Sequence, residues 1–127
     1  MSTNMAIMVG TIGQGVMRST DCGDTWEVLS VSHGLYNGAI VRALLVNPKT
    51  PENVLAGTEK GLFASTNSGL TWTRQDVPLS QYCVWTLESD PTCPEIIFAG
   101  TGTPDRVTLF RSSDGGCTWD GASAPVR

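Results

Sequence analysis

A chain of 127 residues and 13.5 kDa can build one hydrophobic core, and as a compact monomer it would expose on the order of 6,500 Å². Its net charge of −4 and pI near 4.7 exclude nucleic acid and anionic membrane as partners, because both need Lys and Arg to neutralise phosphate. With 40% hydrophobic residues, 16% charged residues and 14 glycines, the chain is neither disordered nor helix-favouring, and tight turns must be frequent.

Met1 to Gly10 has neither the basic n-region nor the sustained apolar run of a signal peptide, and no apolar stretch reaches membrane-spanning length. The expected location is therefore the cytoplasm, or outside the cell if the chain is excised from a longer secreted precursor. Gly10-Thr11-Ile12-Gly13-Gln14-Gly15 lacks the Gly-Lys-Ser/Thr and the helix of a phosphate loop, so it reads as a hairpin. The first unit, residues 5–31, holds three short strands. A connection from Ser30 to Gly38 follows, carrying His33 and Tyr36.

The second unit, residues 39–76, reads as four strands: a (Val41 to Val46), b (Val54 to Thr58), c (Gly61 to Ser65) and d (Thr71 to Asp76). Each run is short, rich in β-branched and aliphatic residues, and bounded by Gly, Pro, Asn or Asp. The a–b turn is Asn47-Pro48-Lys49-Thr50-Pro51, where proline sets φ and pushes the preceding Asn out of the helical region. After a connection from Gln75 to Cys83, the third unit, residues 82–127, repeats the pattern. Its b–c connection carries four extra residues, Thr103-Pro104-Asp105-Arg106, and its last strand is cut short by Ala124-Pro125-Val126-Arg127. The cysteines Cys22, Cys83, Cys93 and Cys117 form no C-x-x-C and are expected as free thiols.

One octapeptide recurs: Ser19-Thr20-Asp21-Cys22-Gly23-Asp24-Thr25-Trp26, Ser65-Thr66-Asn67-Ser68-Gly69-Leu70-Thr71-Trp72 and Ser112-Ser113-Asp114-Gly115-Gly116-Cys117-Thr118-Trp119. A chance match to S-x-[DN]-x-G-x-T-W is on the order of 10⁻⁷ per start position, so three matches define a repeat. It forms the c–d turn. Asp21, Asn67 or Asp114 accepts backbone N–H groups a few residues on, Gly23, Gly69 or Gly116 takes φ > 0, and Ser19, Ser65 or Ser112 ends strand c. Thr25, Thr71 or Thr118 then starts strand d, and Trp26, Trp72 or Trp119 supplies surface to pack between neighbouring sheets. A four-stranded meander of this length is one propeller blade. The fold class is thus all-β: about three blades, the first lacking its innermost strand, making an incomplete propeller.

The octapeptide resembles the Asp-box, or BNR, repeat of sialidase-like β-propellers, a family that includes sortilin-type receptor domains, xyloglucan-active glycoside hydrolases and photosystem II assembly factors. The resemblance covers roughly residues 5–120. Asn67 departs from the pattern in the second box, but the turn needs only a side-chain oxygen there. The resemblance implies the blade and leaves the activity open, since such propellers both catalyse and bind. Three blades do not close a ring of four to eight, so the expected partners are other blades, from a longer chain or a second copy. A missing first strand favours the longer chain.

The b–c and d-to-a connections share the end opposite the octapeptides. The candidate ligand face there comprises His33, Tyr36, Arg42, Tyr82, Trp85, Asp105 and Arg106. A single histidine cannot build a His-based metal site, and no cofactor is expected. Sialidase chemistry needs an arginine cluster, yet Arg18, Arg42, Arg74, Arg106, Arg111 and Arg127 are scattered and no early Arg-Ile-Pro occurs. Glu59, Glu88, Asp90 and Asp105 supply no carboxylate pair that can be placed across a common cleft. No catalytic residue is assigned. The expectation is a non-catalytic scaffold for binding a protein or carbohydrate ligand, with a glycoside hydrolase segment as the alternative.

Overall fold

The computed structural model describes residues 5–103 and 106–122. The first sheet is β1 (Ile7–Gly10), β2 (Val16–Ser19) and β3 (Glu27–Leu29). The second is β4 (Val41–Val46), β5 (Val54–Thr58), β6 (Gly61–Ser65) and β7 (Thr73–Arg74), and the third β8 (Cys83–Asp90), β9 (Cys93–Thr103), β10 (Arg106–Ser112) and β11 (Asp120–Ala122). Each sheet is an antiparallel meander in chain order. The first strands of the second and third sheets, β4 and β8, lie beside each other, and β1 lies beside β4. These are three successive blades of a β-propeller, and the ring is not closed. Among the described residues the first blade has no innermost strand. No helix there is long and apolar enough to cross a membrane.

Strands a, b and c of the middle blade occupy the residues that their sequence pattern predicts. Strand d does not. The expected Thr71 to Asp76 reduces to Thr73–Arg74 because two amides at its start are already engaged: Thr71 N–H donates to Asn67 Oδ1 (2.9 Å) and Trp72 N–H to the carbonyl of His33 (2.7 Å). Pro78 then opens a 3₁₀ turn, Pro78–Gln81. Of the extra b–c residues of the third blade, Thr103 and Arg106 pair as strand residues, and Pro104 and Asp105 lie outside the described residues.

The octapeptide turns are built by local hydrogen bonds. In the first, Ser19 Oγ donates to Asp21 Oδ1 and accepts from Gly23 N–H, both at 2.8 Å, while Asp21 accepts from the amide and hydroxyl of Thr25. Ser112, Asp114, Gly116 and Thr118 repeat the set. With Asn67 the last bond reverses: its Nδ2 donates to Thr71 Oγ1 at 2.8 Å, so the turn closes without a carboxylate. The Thr25 and Thr118 hydroxyls and amides hold the carboxyls of Asp21 and Asp114 at a pKa of about 2. Their stabilisation is therefore complete above the unfolded value of about 4 and fades as pH falls towards 2. Thermal melts followed by circular dichroism should show a midpoint dropping across that window, with a shallower drop for Asp114→Asn. An unchanged slope would contradict this origin.

Two cores lie between blades. The first joins Val16 and Leu29 of blade I to Val54, Ala56, Phe63 and Trp72 of blade II. The second joins Leu62 of blade II to Leu87, Ile97, Ala99, Phe110 and Trp119 of blade III. The 3₁₀ connections contribute too, through Leu35 and Ala39 in one core and Leu79 in the other. Trp72 and Trp119 are each 4% exposed, as inter-sheet packing requires. Trp26 is not packed in this way. It is 38% exposed, because no described blade lies against its ring, although its Nε1–H still donates to the Gly23 carbonyl at 3.0 Å.

Candidate functional site

The innermost strands β4 and β8 share one irregularity, at the same place, and β8 has a second between Ser89 and Asp90. The β4–β5 register shifts between Val41 and Ala43, and the β8–β9 register between Val84 and Thr86. The residues inside these bulges are Arg42 and Trp85. A bulge inserts an unpaired residue and re-aims its side chain, and here the two meet: the Arg42 guanidinium lies 4.5 Å from the centre of the Trp85 ring. Trp85 remains 47% exposed.

The β5–β6 hairpin adds two charges. Thr58 pairs with Gly61, leaving Glu59-Lys60 as a two-residue tip. Glu59 Oε1 accepts from Arg42 Nη2 at 2.8 Å, which holds the guanidinium above its ordinary pKa. Lys60 Nζ sits 4.9 Å from the Tyr36 ring centre. Cys83 lies beside this group, and burial, reinforced by the Glu59 carboxylate, pushes its thiol pKa up. A thiol so perturbed is a poor nucleophile. All four cysteines are unpaired, Cys22 and Cys117 being exposed.

The structure thus brings together Arg42 and Trp85 and, beside them, Glu59. Tyr36 and Tyr82 take equivalent packing roles, with rings 6.0 Å from Phe63 and 5.7 Å from Phe110. The Tyr36 hydroxyl also accepts from Ile40 N–H at 3.0 Å. His33 faces its own 3₁₀ turn: Nδ1 accepts from Ser30 N–H at 3.3 Å, and its carbonyl receives Trp72 N–H. Asp105 lies outside the described residues. Arg106 is described only as the first residue of β10. Sequence reasoning missed Lys60, although the Thr-Glu-Lys-Gly spacing marks a hairpin tip whose charges project beside strand a.

A cleft of about 430 Å³ lies at the opposite end, between blades II and III, lined by Leu45, Leu55, Ile97, Gly116 and Cys117 among others and, among the described residues, by no charged side chain. Chemically the Arg42–Trp85 group is the better equipped of the two. A half-exposed indole, a guanidinium and a carboxylate can contact a flat ring and hydrogen-bond its substituents.

No protein-family profile matches the chain. The xyloglucanase Xgh74A of Acetivibrio thermocellus is 28% identical over 131 aligned positions, covering 82% of this chain and 15% of that protein. Among solved structures, an ancestral GH74 enzyme superposes with a TM-score of 0.76 at 22% identity, covering 94% of this chain and 16% of its own. YCF48 bound to a D1 peptide superposes with a TM-score of 0.60 at 15% identity, covering 92% and 42% respectively. The chain therefore spans less than half the length of each of these proteins. The structural likenesses establish the propeller fold.

Proposed function

We propose that this chain is an Asp-box β-propeller segment that acts as a binding or assembly scaffold, with a ligand face formed by Arg42, Glu59 and Trp85. One observation carries the reading: matched bulges on adjacent inner strands stack the Arg42 guanidinium on the Trp85 ring while leaving that ring 47% exposed. A bulge weakens a ladder, so its repetition in two blades points to a side chain that must be presented. Two ligand classes suit the group: a sugar ring stacked on Trp85, or a peptide carboxylate held by Arg42. The Asp boxes serve the turns. Asp21 and Asp114 are engaged within their own octapeptides.

Calorimetric titration with xyloglucan oligosaccharides and, separately, with a peptide ending in a free carboxylate tests the assignment. Trp85→Ala is expected to weaken binding of the preferred probe by roughly tenfold, the loss of one stacked aromatic contact of about 1–2 kcal/mol. Equal binding by wild type and variant would remove Trp85 from the ligand face. The second reading is a segment of a glycoside hydrolase, favoured by the 28% identity to a xyloglucanase over 82% of the chain. Its cleft would draw on blades beyond these three. Release of reducing ends from xyloglucan by this chain would favour it.

A further inference from the structure

The two interfaces between blades use the same parts at equivalent positions. The second residue of strand b packs on the octapeptide glycine of the next blade: a Cβ at Gly69 would lie 2.4 Å from Met8 Sδ, and one at Gly116 2.9 Å from Leu55 Cδ1. Arg18 reaches further, donating from Nε to the Ser68 carbonyl at 2.9 Å. The outer faces of blades I and III carry these parts again. On blade III, Phe98 holds the place of Met8 and Leu55 and is 38% exposed. Leu109, at the place of the fully buried Val16 and Leu62, is also 38% exposed, and Arg111 stands exposed where Arg18 stands in blade I.

Blade I presents the matching half. A Cβ at Gly23 would meet only the ring of Trp26, at 3.6 Å. Cys22 has the same left-handed φ of 62° as Ser68, the residue whose carbonyl accepts from Arg18. Ile7 and Val9, 36% and 46% exposed, occupy the positions of Val54 and Ala56, which are 1% and 0% exposed. Trp26 completes this face.

We infer that the open face of blade III docks on the open face of blade I of a second copy, head to tail, with Phe98 against Gly23 and Trp26 and Arg111 donating to the Cys22 carbonyl. The two faces differ, so the contact is heterologous. Two substitutions of parts make it weaker than the internal interfaces. Blade I offers no described counterpart of Val41 and Val84, which cover Gly10 and Gly57, and Glu88 replaces Leu45 at the rim. None of the docking residues belongs to the Arg42–Trp85 group, so this inference and the proposed ligand face fail separately.

The test is solution mass by light scattering after size exclusion, over a concentration series of the full chain. Wild type should rise with concentration from 13.5 kDa to twice that mass and beyond. Trp26→Glu and Phe98→Glu should each stay monomeric alone, yet their equimolar mixture should form a one-to-one dimer that grows no further, since each retains one intact face. Arg111→Ala should raise the concentration for half-association about tenfold. Val9→Lys and Leu109→Lys supply a second pair should either Glu variant fail to fold by circular dichroism. A wild type that stays monomeric throughout, a Trp26→Glu chain that dimerises by itself, or a folded mixture no heavier than its components would each overturn the inference.

Discussion

Trp119→Ala and Trp72→Ala should each destabilise the chain by about 3–5 kcal/mol, whereas Trp26→Ala should cost about 1 kcal/mol or less. The three residues close the same octapeptide, so sequence similarity alone would rank them equally. What separates them is burial: 4% exposure for Trp72 and Trp119 against 38% for Trp26. Removing a ring enclosed by two sheets leaves a cavity that rigid strands cannot collapse, and the lost dispersion contacts add to the transfer cost. Removing a ring that one blade face leaves open lets water occupy the space. Urea unfolding of the three variants provides the comparison. Equal losses at all three positions would refute the assignment of Trp26 to an open face, as would a change below about half a kcal/mol at Trp72 for its packing.

Gly34→Ala is expected to destabilise by about 3 kcal/mol or more. Gly34 ends the 3₁₀ turn Val31–His33 with φ +100°, and a Cβ there would lie 1.8 Å from the Trp72 carbonyl oxygen. The obstruction is backbone on both sides, and it is tied by the 2.7 Å bond from Trp72 N–H to the His33 carbonyl. No rotamer change relieves it. Gly13 makes the control, since its φ is +106° but nothing lies within 4 Å of a Cβ. Gly13→Ala should cost only the left-handed penalty of about 1 kcal/mol. If the two variants melt together under denaturant, the connection between blades I and II does not pack on Trp72 as described.

The contrast between these residues explains how far the sequence could be read. The octapeptide bonds join residues at most four apart, so composition and spacing carry their whole geometry. The same holds for the a–b turn, where Asn47 Oδ1 accepts from Lys49 N–H at 2.9 Å. For that reason the blade, its strand order and the turn at each octapeptide were legible from the chain. Strand d of the middle blade was misjudged because its amide donors go to His33 and Asn67, and the former contact crosses between blades.

By itself, the amino-acid sequence determined the repeating unit, its three turns and the periodicity of apolar residues that makes each meander a sheet. The tertiary structure alone decided which tryptophans are enclosed, that Arg42 and Trp85 sit in matched bulges and stack, and that Gly34 lies against Trp72. The last two outcomes join groups 43 residues apart, Arg42 and Trp85, and 38 apart, Gly34 and Trp72. Hydrogen bonds within a turn are specified by near neighbours, whereas burial and cross-blade contact follow from which sheet faces are covered, and that is a property of the assembled blades.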